Sequence, residues 1–274
     1  MRRIVHLSDL HFGRVDPTLI EPLLEAVHRC EPDLTALSGD FTQKGTRSEF
    51  QEAAEFVKRL PGKIIAVPGN HDMAFLNPWK RATQRLKLFR EYITNDPEPW
   101  YLDNEIAVMG LNTARVTHLR DGRIREWQVK RLEERMATAA PEIIRILVTH
   151  HPFDLPAIFE ADELVGRGAR YMKRVVNSID IMLAGHMHIS YVGPTAMRYK
   201  VLGDSAIFVQ AGTALSTRVR TEDNAFQLVR TSPGAVEVQQ FLAQGDKYLP
   251  QQACLFRSVD GVWMPAAHEV QVTG

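Results

Sequence analysis

Asp9-Leu10-His11, Gly39-Asp40, Gly69-Asn70-His71-Asp72, Thr149-His150-His151-Pro152 and Gly185-His186-Met187-His188 are short polar clusters, each set directly after an apolar, strand-like run. Carboxylates and imidazoles are costly to bury unless they are paired, hydrogen-bonded or metal-bound. A chain that places them at the end of one apolar run after another is building a single site there. Asp9, His11, Asp40, Asn70, His150, His186 and His188 mix carboxylate and amide oxygen with imidazole nitrogen. Manganese, iron, zinc, cobalt and nickel accept that mixture, whereas calcium and magnesium prefer oxygen shells. Cys30 and Cys254 lie outside every cluster, so thiolate zinc and iron–sulfur sites are not indicated. The donors exceed what one tetrahedral ion uses and suit two ions sharing a carboxylate. In an extended chain residues i and i+2 point the same way. Asp9 and His11 are therefore expected to converge, and His186 and His188 to face a common cavity.

The elements that must position these residues read as alternating strands and helices. Strands are expected at 4–8, 34–38, 64–68, 106–111, 143–149 and 179–184, all short and rich in Ile, Val and Leu. Helical patterns run over 17–30, with Asp16 as N-cap and Pro17 in the first turn, and over 46–60, where Thr46 and Glu49 form a capping box. The stretches 78–93, 126–139 and 162–178 read the same way. After Gly185 the pattern changes to alternation over 191–201, 206–210, 226–230 and 236–242, as in antiparallel strands, with a Gly203-Asp204 turn. The fold class is α/β, with a β-rich C-terminal half. Residues 1–244 read as one domain. Residues 245–274 carry aromatic pieces between Gly and Pro and read as an extension packing on the body or on a second subunit, rather than a loose tail.

The blocks D-x-H, G-D, G-N-H-D, a strand-end His and G-H-x-H occur in that order within residues 9–188. In this they resemble the calcineurin-like metallophosphoesterase family, and the layout is most similar to its bacterial phosphodiesterases, including the class III cyclic nucleotide phosphodiesterases. One block occurs by chance in many chains; the ordered set is specific. Together, pattern and resemblance imply a four-layer αββα sandwich of two mixed β-sheets flanked by helices, with the ligands on loops at one edge. The resemblance implies that Asp9, His11 and His188 hold one ion, that Asn70, His150 and His186 hold a second, and that Asp40 bridges them. It selects His150 over His151. His71 would face the substrate as the catalytic residue, and Asp72 would sit behind it to orient the imidazole.

The implied activity is hydrolysis of a phosphodiester, a cyclic nucleotide or another small diester, by direct attack of a hydroxide bridging two divalent ions. Mn2+ and iron, as Fe2+ or Fe3+, lead the expected metals, with Zn2+, Co2+ and Ni2+ as alternatives. No Ser or Cys nucleophile sits in any block, so no covalent phospho-enzyme is expected. Relatives cleave glycerophosphodiesters, nucleotide pyrophosphates, lipid-linked phosphates, phosphoproteins and DNA ends. The motifs thus report the reaction and not the organic group. A phosphomonoesterase or a nucleotide or lipid pyrophosphatase stays open, as does a non-catalytic metal-binding scaffold. A scaffold would tolerate loss of ligands, and here none is missing.

The 274 residues are 45% hydrophobic and 24% charged, with 33 basic against 33 acidic side chains. That balance leaves no footprint for general nucleic-acid binding. No apolar run approaches the ~20 residues that span a bilayer. Arg2 and Arg3 lead straight into the first strand without the apolar stretch of an export signal. The expected location is cytoplasmic, with reduced thiols and a homodimer as one form of assembly. His6, inside a strand, reads as structural, and His28 and His268 as bland. The loop holding Arg115, His118, Arg120, Arg123 and Arg125 is either a solvated basic loop or a flap that holds an anionic substrate. The apolar run 153–159 reads equally as core packing or as a substrate- or dimer-facing wall.

Overall fold

Residues 1–74, 78–117, 120–154, 164–195, 205–218 and 222–266 are described in the computed structural model. His118, His268, the Gly203-Asp204 turn, the end of the expected 191–201 strand and most of the apolar run 153–159 lie outside the described residues.

The first two-thirds alternates strands and helices: β1 (Arg2–Leu7), α1 (Ile20–Arg29), β2 (Leu34–Leu37), α2 (Arg47–Val57), β3 (Lys63–Ala66), α3 (Pro78–Gln84), α4 (Lys87–Tyr92), β4 (Trp100–Leu102), β5 (Ile106–Leu111), α5 (Glu126–Met136), β6 (Ile144–Thr149), α6 (Gly168–Val176) and β7 (Ile181–Ala184). Strands dominate the remainder: β8 (Tyr191–Pro194), β9 (Ile207–Gln210), β10 (Ala225–Ser232), β11 (Ala235–Gln244), β12 (Lys247–Pro250), β13 (Cys254–Val259) and β14 (Val262–Ala266). Local chemistry explains the helix starts. Asp16 accepts from Thr18 N–H in the turn before α1, and the Thr46–Glu49 capping box opens α2 with both hydrogen bonds in place.

Two expected helices differ from their pattern. The stretch 78–93 breaks into α3 and α4 at Arg85, whose φ is 46°. The break lets α3 turn Arg81 toward the Asn70 carbonyl while α4 packs Phe89 against Phe41. The last helix begins only at Gly168, because Arg167 is left-handed at φ 69° and cannot continue a helix backward.

The strands form an eight-stranded sheet, ordered β14-β13-β11-β10-β1-β2-β3 with β12 on β11, and a six-stranded sheet, ordered β4-β5-β6-β7-β9-β8. Parallel pairing joins β1 to β2 and β2 to β3, with Ile4 opposite Leu34 and Leu34 opposite Lys63. The second sheet is parallel from β5 through β6 and β7 to β9. The expectation of antiparallel strands in the second half holds between β8 and β9 but not on the other side of β9, which is buried along its length and runs parallel to β7. Strands covered on both faces lose the apolar–polar alternation that separates the two pairings. Past Gln244 the chain adds β12 and β13 to β11, and β14 to β13. Trp263 on β14 is buried and donates from Nε1 to Asp180 Oδ1 at 3.1 Å.

Strand alternation divides the apolar side chains among three layers. Ile4, Ala36, Ile65, Val108, Ile146, Leu183 and Val209 meet between the sheets. Val5, Leu7 and Leu37 face outward onto Leu23, Val27, Phe50 and Phe89 of α1, α2 and α4. Ala107, Met109, Leu147 and Met182 face the other way onto Val129, Leu132, Met172 and Val175 of α5 and α6. Each buried Leu, Ile, Val or Phe contributes about 1.5–3 kcal/mol. The result is the helix–sheet–sheet–helix sandwich that the sequence pattern and the family resemblance together implied. Among the described residues no helix is long and apolar enough to cross a membrane.

Candidate metal centre

The parallel strands of both sheets end at one edge, where ligands collect in open α/β sheets. β1 leads to Asp9 and His11, β2 to Asp40 and β3 to Asn70; from the second sheet β6 leads to His150 and β7 to His186 and His188. Extended backbone is not what makes these side chains converge. Asp9, His11, Asp40, His186 and His188 all have positive φ, at 51°, 52°, 54°, 77° and 57°. Non-glycine residues rarely adopt this region, and each instance costs of order 1–3 kcal/mol. Backbone hydrogen bonds hold the turns in place, Asp9 N–H to Gly39 O at 3.1 Å and His11 N–H to Asp40 O at 2.9 Å. Close approach also requires small residues. A Cβ on Gly185 would lie 1.8 Å from Ser8 Oγ, and one on Gly69 would lie 2.1 Å from Asp40 Oδ1.

Two donor groups result. In the first, His188 Nε2 lies 3.2 Å and His11 Nε2 3.6 Å from Asp9 Oδ1, and the two imidazole nitrogens are 3.1 Å apart. In the second, His150 Nε2 lies 3.0 Å from Asn70 Oδ1 and 3.4 Å from Asp40 Oδ2. Asp40 Oδ2 is also 3.8 Å from His11 Nε2, so this carboxylate stands between the groups. His186 packs its ring against His150 at 5.1 Å and against His151 at 4.6 Å.

The hydrogen bonds around these groups fit a cation. Carbonyl oxygens only accept, so Nδ1–H of His188 donates to Arg218 O at 3.1 Å and Nδ1–H of His150 to Ser38 O at 2.8 Å. In the neutral rings each Nε2 then carries a lone pair. Those lone pairs face carboxylate and amide oxygens, acceptor against acceptor. Asp9 Oδ1 is buried without a hydrogen-bond partner among the described residues, while Asp9 Oδ2 accepts from Ser8 Oγ at 2.6 Å and from His186 N–H at 2.9 Å. Without a cation, burial disfavours a charged His150, yet the Asp40 carboxylate raises its pKa to about 9, so that a proton on Nε2 takes the place between the oxygens that a metal ion would fill. Burial and then His150 push His186 down to about 3. Asp9, His11 and His188, and Asp9, Asp40 and His150, are thus groups that could hold a divalent ion.

His151 is geometrically close to His150 and His186, but both its ring nitrogens are committed. Nε2–H donates to Arg120 O at 2.8 Å, and Nδ1 accepts from Thr113 Oγ1 at 2.8 Å. His150, with Nε2 turned to Asp40, is the better donor. His71 lies beside the first group, its ring edge-on to His11 at 5.0 Å. Its orientation corrects the expected role of Asp72. The Asp72 carboxylate accepts from Gly69 N–H at 2.8 Å, Thr42 N–H at 3.0 Å and Thr42 Oγ1 at 3.1 Å, fixing the loop rather than the imidazole. The group that holds His71 is the Gln43 carbonyl, which accepts from Nδ1–H at 2.7 Å. Burial and then the Asp40 charge push the Asp72 carboxyl up to about 7.

Of the loop arginines, Arg120 reaches this region through its carbonyl on His151. Arg115, Arg123 and Arg125 gather with Arg167; desolvation and these neighbouring guanidinium groups lower the Arg123 pKa. Two further arginines escaped the sequence reading. Arg81 is 2% exposed and donates to the carbonyls of Asn70 at 3.0 Å, Val116 at 3.1 Å and Arg115 at 2.8 Å, tying the Asn70 loop to the basic loop. Arg218 places Nη1 3.2 Å from His71 Nε2. Neither belongs to a motif, and no local signal marks them.

Two sheets thus deliver carboxylates, an amide and imidazoles to one edge, a set of donors that could hold metal ions. A model of the calcineurin-like phosphoesterases matches residues 2–190, and the chain belongs to that family of phosphoester hydrolases. A cAMP/cGMP dual specificity phosphodiesterase of Mycobacterium tuberculosis is 27% identical over 260 residues, covering 85% of this chain and 77% of the relative. A 3′,5′-cyclic adenosine monophosphate phosphodiesterase of Escherichia coli is 26% identical over 205 residues, 69% of this chain and 67% of its own. In fold, a purple acid phosphatase from yellow lupin (Lupinus luteus) superimposes with a TM-score of 0.68 at 12% identity, over 92% of this chain and 53% of that one.

Proposed function

We propose that the chain is a binuclear metal-dependent phosphodiesterase acting on small diesters, with cyclic nucleotides as the leading substrate class. The observation that carries this reading is the place of Asp40. Its Oδ2 lies 3.8 Å from His11 Nε2 and 3.4 Å from His150 Nε2, while its Oδ1 is occupied by His71 N–H at 2.8 Å. Asp9, His11 and His188 would hold one ion and Asn70, His150 and His186 the other, with Asp40 shared. Two divalent ions in such a site supply a nucleophilic water of lowered pKa and neutralise phosphoryl charge. Oxygen and imidazole donors together suit Mn2+ and iron.

The protein's own groups complete the reading. Nδ1–H donation to Gln43 O aims the Nε2 edge of His71 toward the site, where it can meet the phosphoryl group or the leaving oxygen. Asp9 and Asp40 are the carboxylates among the candidate ligands; with two divalent ions and a hydroxide they would leave a formal charge of about +1, which matches a monoanionic diester and is exceeded by a dianionic monoester. The relatives named as cyclic nucleotide phosphodiesterases support the substrate class.

The test is to strip the protein with a chelator, reload it with Mn2+ and measure turnover of bis-p-nitrophenyl phosphate, p-nitrophenyl phosphate, cAMP, cGMP and a glycerophosphodiester. Metal-dependent hydrolysis with higher kcat/KM on diesters is expected. A fully loaded protein that turns over none of these esters would leave the scaffold reading in its place.

A further inference from the structure

We propose that Arg218 is a substrate-binding residue whose guanidinium takes a non-bridging phosphoryl oxygen and sets how far the site accommodates a second phosphate charge. This rests on the phosphoesterase reading of the site. Arg218 lies in the loop after β9, in no motif block, yet its place is built. Its N–H donates to Ser216 Oγ at 3.0 Å, Thr217 N–H donates to Arg14 O at 2.9 Å and Asp16 N–H to Leu215 O at 2.8 Å. Ser216 also bridges to Val15. The loop is therefore stitched to the turn that follows His11, and the Arg218 carbonyl in turn accepts from His188 Nδ1 at 3.1 Å. Backbone and side chain reach the candidate centre at two points.

The guanidinium end is only half used. Nη1 donates to His71 Nε2 at 3.2 Å. Because Gln43 O takes the Nδ1 proton and a guanidinium can only donate, His71 is held there as a neutral acceptor. A neutral imidazole leaves the cation's charge uncompensated, and no carboxylate of the described residues pairs with it. Remaining N–H groups of a planar fork, next to His71 and the Asp9–His11–His188 group, match the oxygens of a phosphoryl group. Surface arginines ordinarily find a carboxylate, as Arg174 does with Glu133 and Glu126. Arg218 is instead anchored among imidazoles, an arrangement suited to an anion that comes and goes.

A dianionic monoester and inorganic phosphate need this extra cation more than a monoanionic diester does. Removing it should act on binding of phosphate and on the monoester-to-diester ratio, and should spare the ions, whose link to Arg218 is the backbone carbonyl on His188. The experiment uses Mn2+-loaded full-length protein as wild type, Arg218→Met and Arg218→Lys, with metal content by elemental analysis and orthophosphate affinity by titration calorimetry. Arg218→Met should keep its metal and thermal midpoint and bind orthophosphate roughly 10- to 100-fold more weakly, the scale of a charge-assisted hydrogen bond. Its kcat/KM should fall further on p-nitrophenyl phosphate than on bis-p-nitrophenyl phosphate, and Arg218→Lys should recover part of each loss. Orthophosphate affinity unchanged in Arg218→Met overturns the proposal, as does a wild type that binds no orthophosphate, or loss of metal on removing the side chain. If Arg218→Met does not fold, Arg218→Lys alone decides, because a point charge without the fork should still weaken orthophosphate, and unchanged affinity there overturns the proposal too. Calorimetry reads binding without turnover. A wild type that binds orthophosphate but hydrolyses nothing therefore counts against the phosphodiesterase reading and leaves Arg218 standing.

Discussion

The Nε2 atoms of His11 and His188, 177 residues apart in the chain, face each other at 3.1 Å over Asp9 Oδ1, which has no hydrogen-bond partner among the described residues. His188 gives its Nδ1 proton to Arg218 O, so whenever the ring is neutral its Nε2 lone pair faces a carboxylate oxygen. Such an arrangement is unfavourable alone and favourable around a cation. Divalent metal should therefore raise the thermal midpoint, by about 2.7 kcal/mol of stability when free metal is 100 times its dissociation constant, and a chelator should reverse the gain. His188→Ala should lose much of it. Calorimetry with and without Mn2+ reads the difference, and a midpoint indifferent to metal would remove the first donor group from consideration.

Asp40→Asn isolates the shared position. The amide oxygen can keep the hydrogen bond from His71 N–H, now made to Asp40 Oδ1 at 2.8 Å, so the loop should survive. What changes is Oδ2, which would become a neutral group poorly suited to two cations. Metal content should fall at both positions and phosphodiesterase activity should drop to background. A variant that retains both ions and a near-normal rate would take Asp40 out of the bridging role.

Much of this was legible in the sequence because each ligand block is local. A strand end followed by Asp-x-His or His-x-His announces itself within a few residues, and the α/β pattern of β1 through β7 follows from short apolar runs. The backbone was misread. Asp9 and His11 converge through left-handed turns and not through extended chain, a conformation that no side-chain pattern encodes. The supporting groups were also hidden. Gln43 acts through a carbonyl, Arg81 through four carbonyls from distant segments, and Arg218 sits more than a hundred residues from His71. β4 is three residues long and carried no clear period, and β9, legible as a strand, gave no sign that it pairs parallel with β7. Asp72 shows the limit of a motif, since the resemblance implied a partnership with His71, while the carboxylate accepts from the Thr42 and Gly69 amides instead.

Arg81→Met should be among the most destabilising changes outside the ligands. The guanidinium is buried, and its donors satisfy carbonyls of Asn70, Met73, Arg115 and Val116. A methionine fills similar space and leaves those acceptors unpaired, at a cost of roughly 2–4 kcal/mol. Arg81→Lys should rescue little, because one ammonium cannot span carbonyls on separate loops. Denaturant titration measures the loss. Metal content should fall as well, since the Asn70 carbonyl is one of the anchored groups; a variant of wild-type stability would show that water replaces the fork.

His71→Ala should lower turnover while leaving metal content intact. The ring touches neither candidate donor group through a ligand-like nitrogen: Nδ1–H donates to Gln43 O, and Nε2 accepts from Arg218. Burial, which outweighs the opposing Asp40 charge, lowers its pKa below the ordinary histidine value. A ring held as the Nδ1–H tautomer has no proton at Nε2 to give a leaving group unless substrate draws Arg218 away and the ring takes one up. Groups that donate protons or stabilise charge in a transition state are typically worth about 10²–10⁴-fold, and the loss should fall in that range. Leaving-group dependence separates the two roles. A p-nitrophenolate needs little protonation and an alkoxide needs much, so a loss confined to alkyl diesters would mark His71 as the proton donor. An equal loss on both would mark charge stabilisation, the outcome that the resting tautomer favours. Loss of metal in His71→Ala would instead make His71 a ligand and overturn its placement beside the centre.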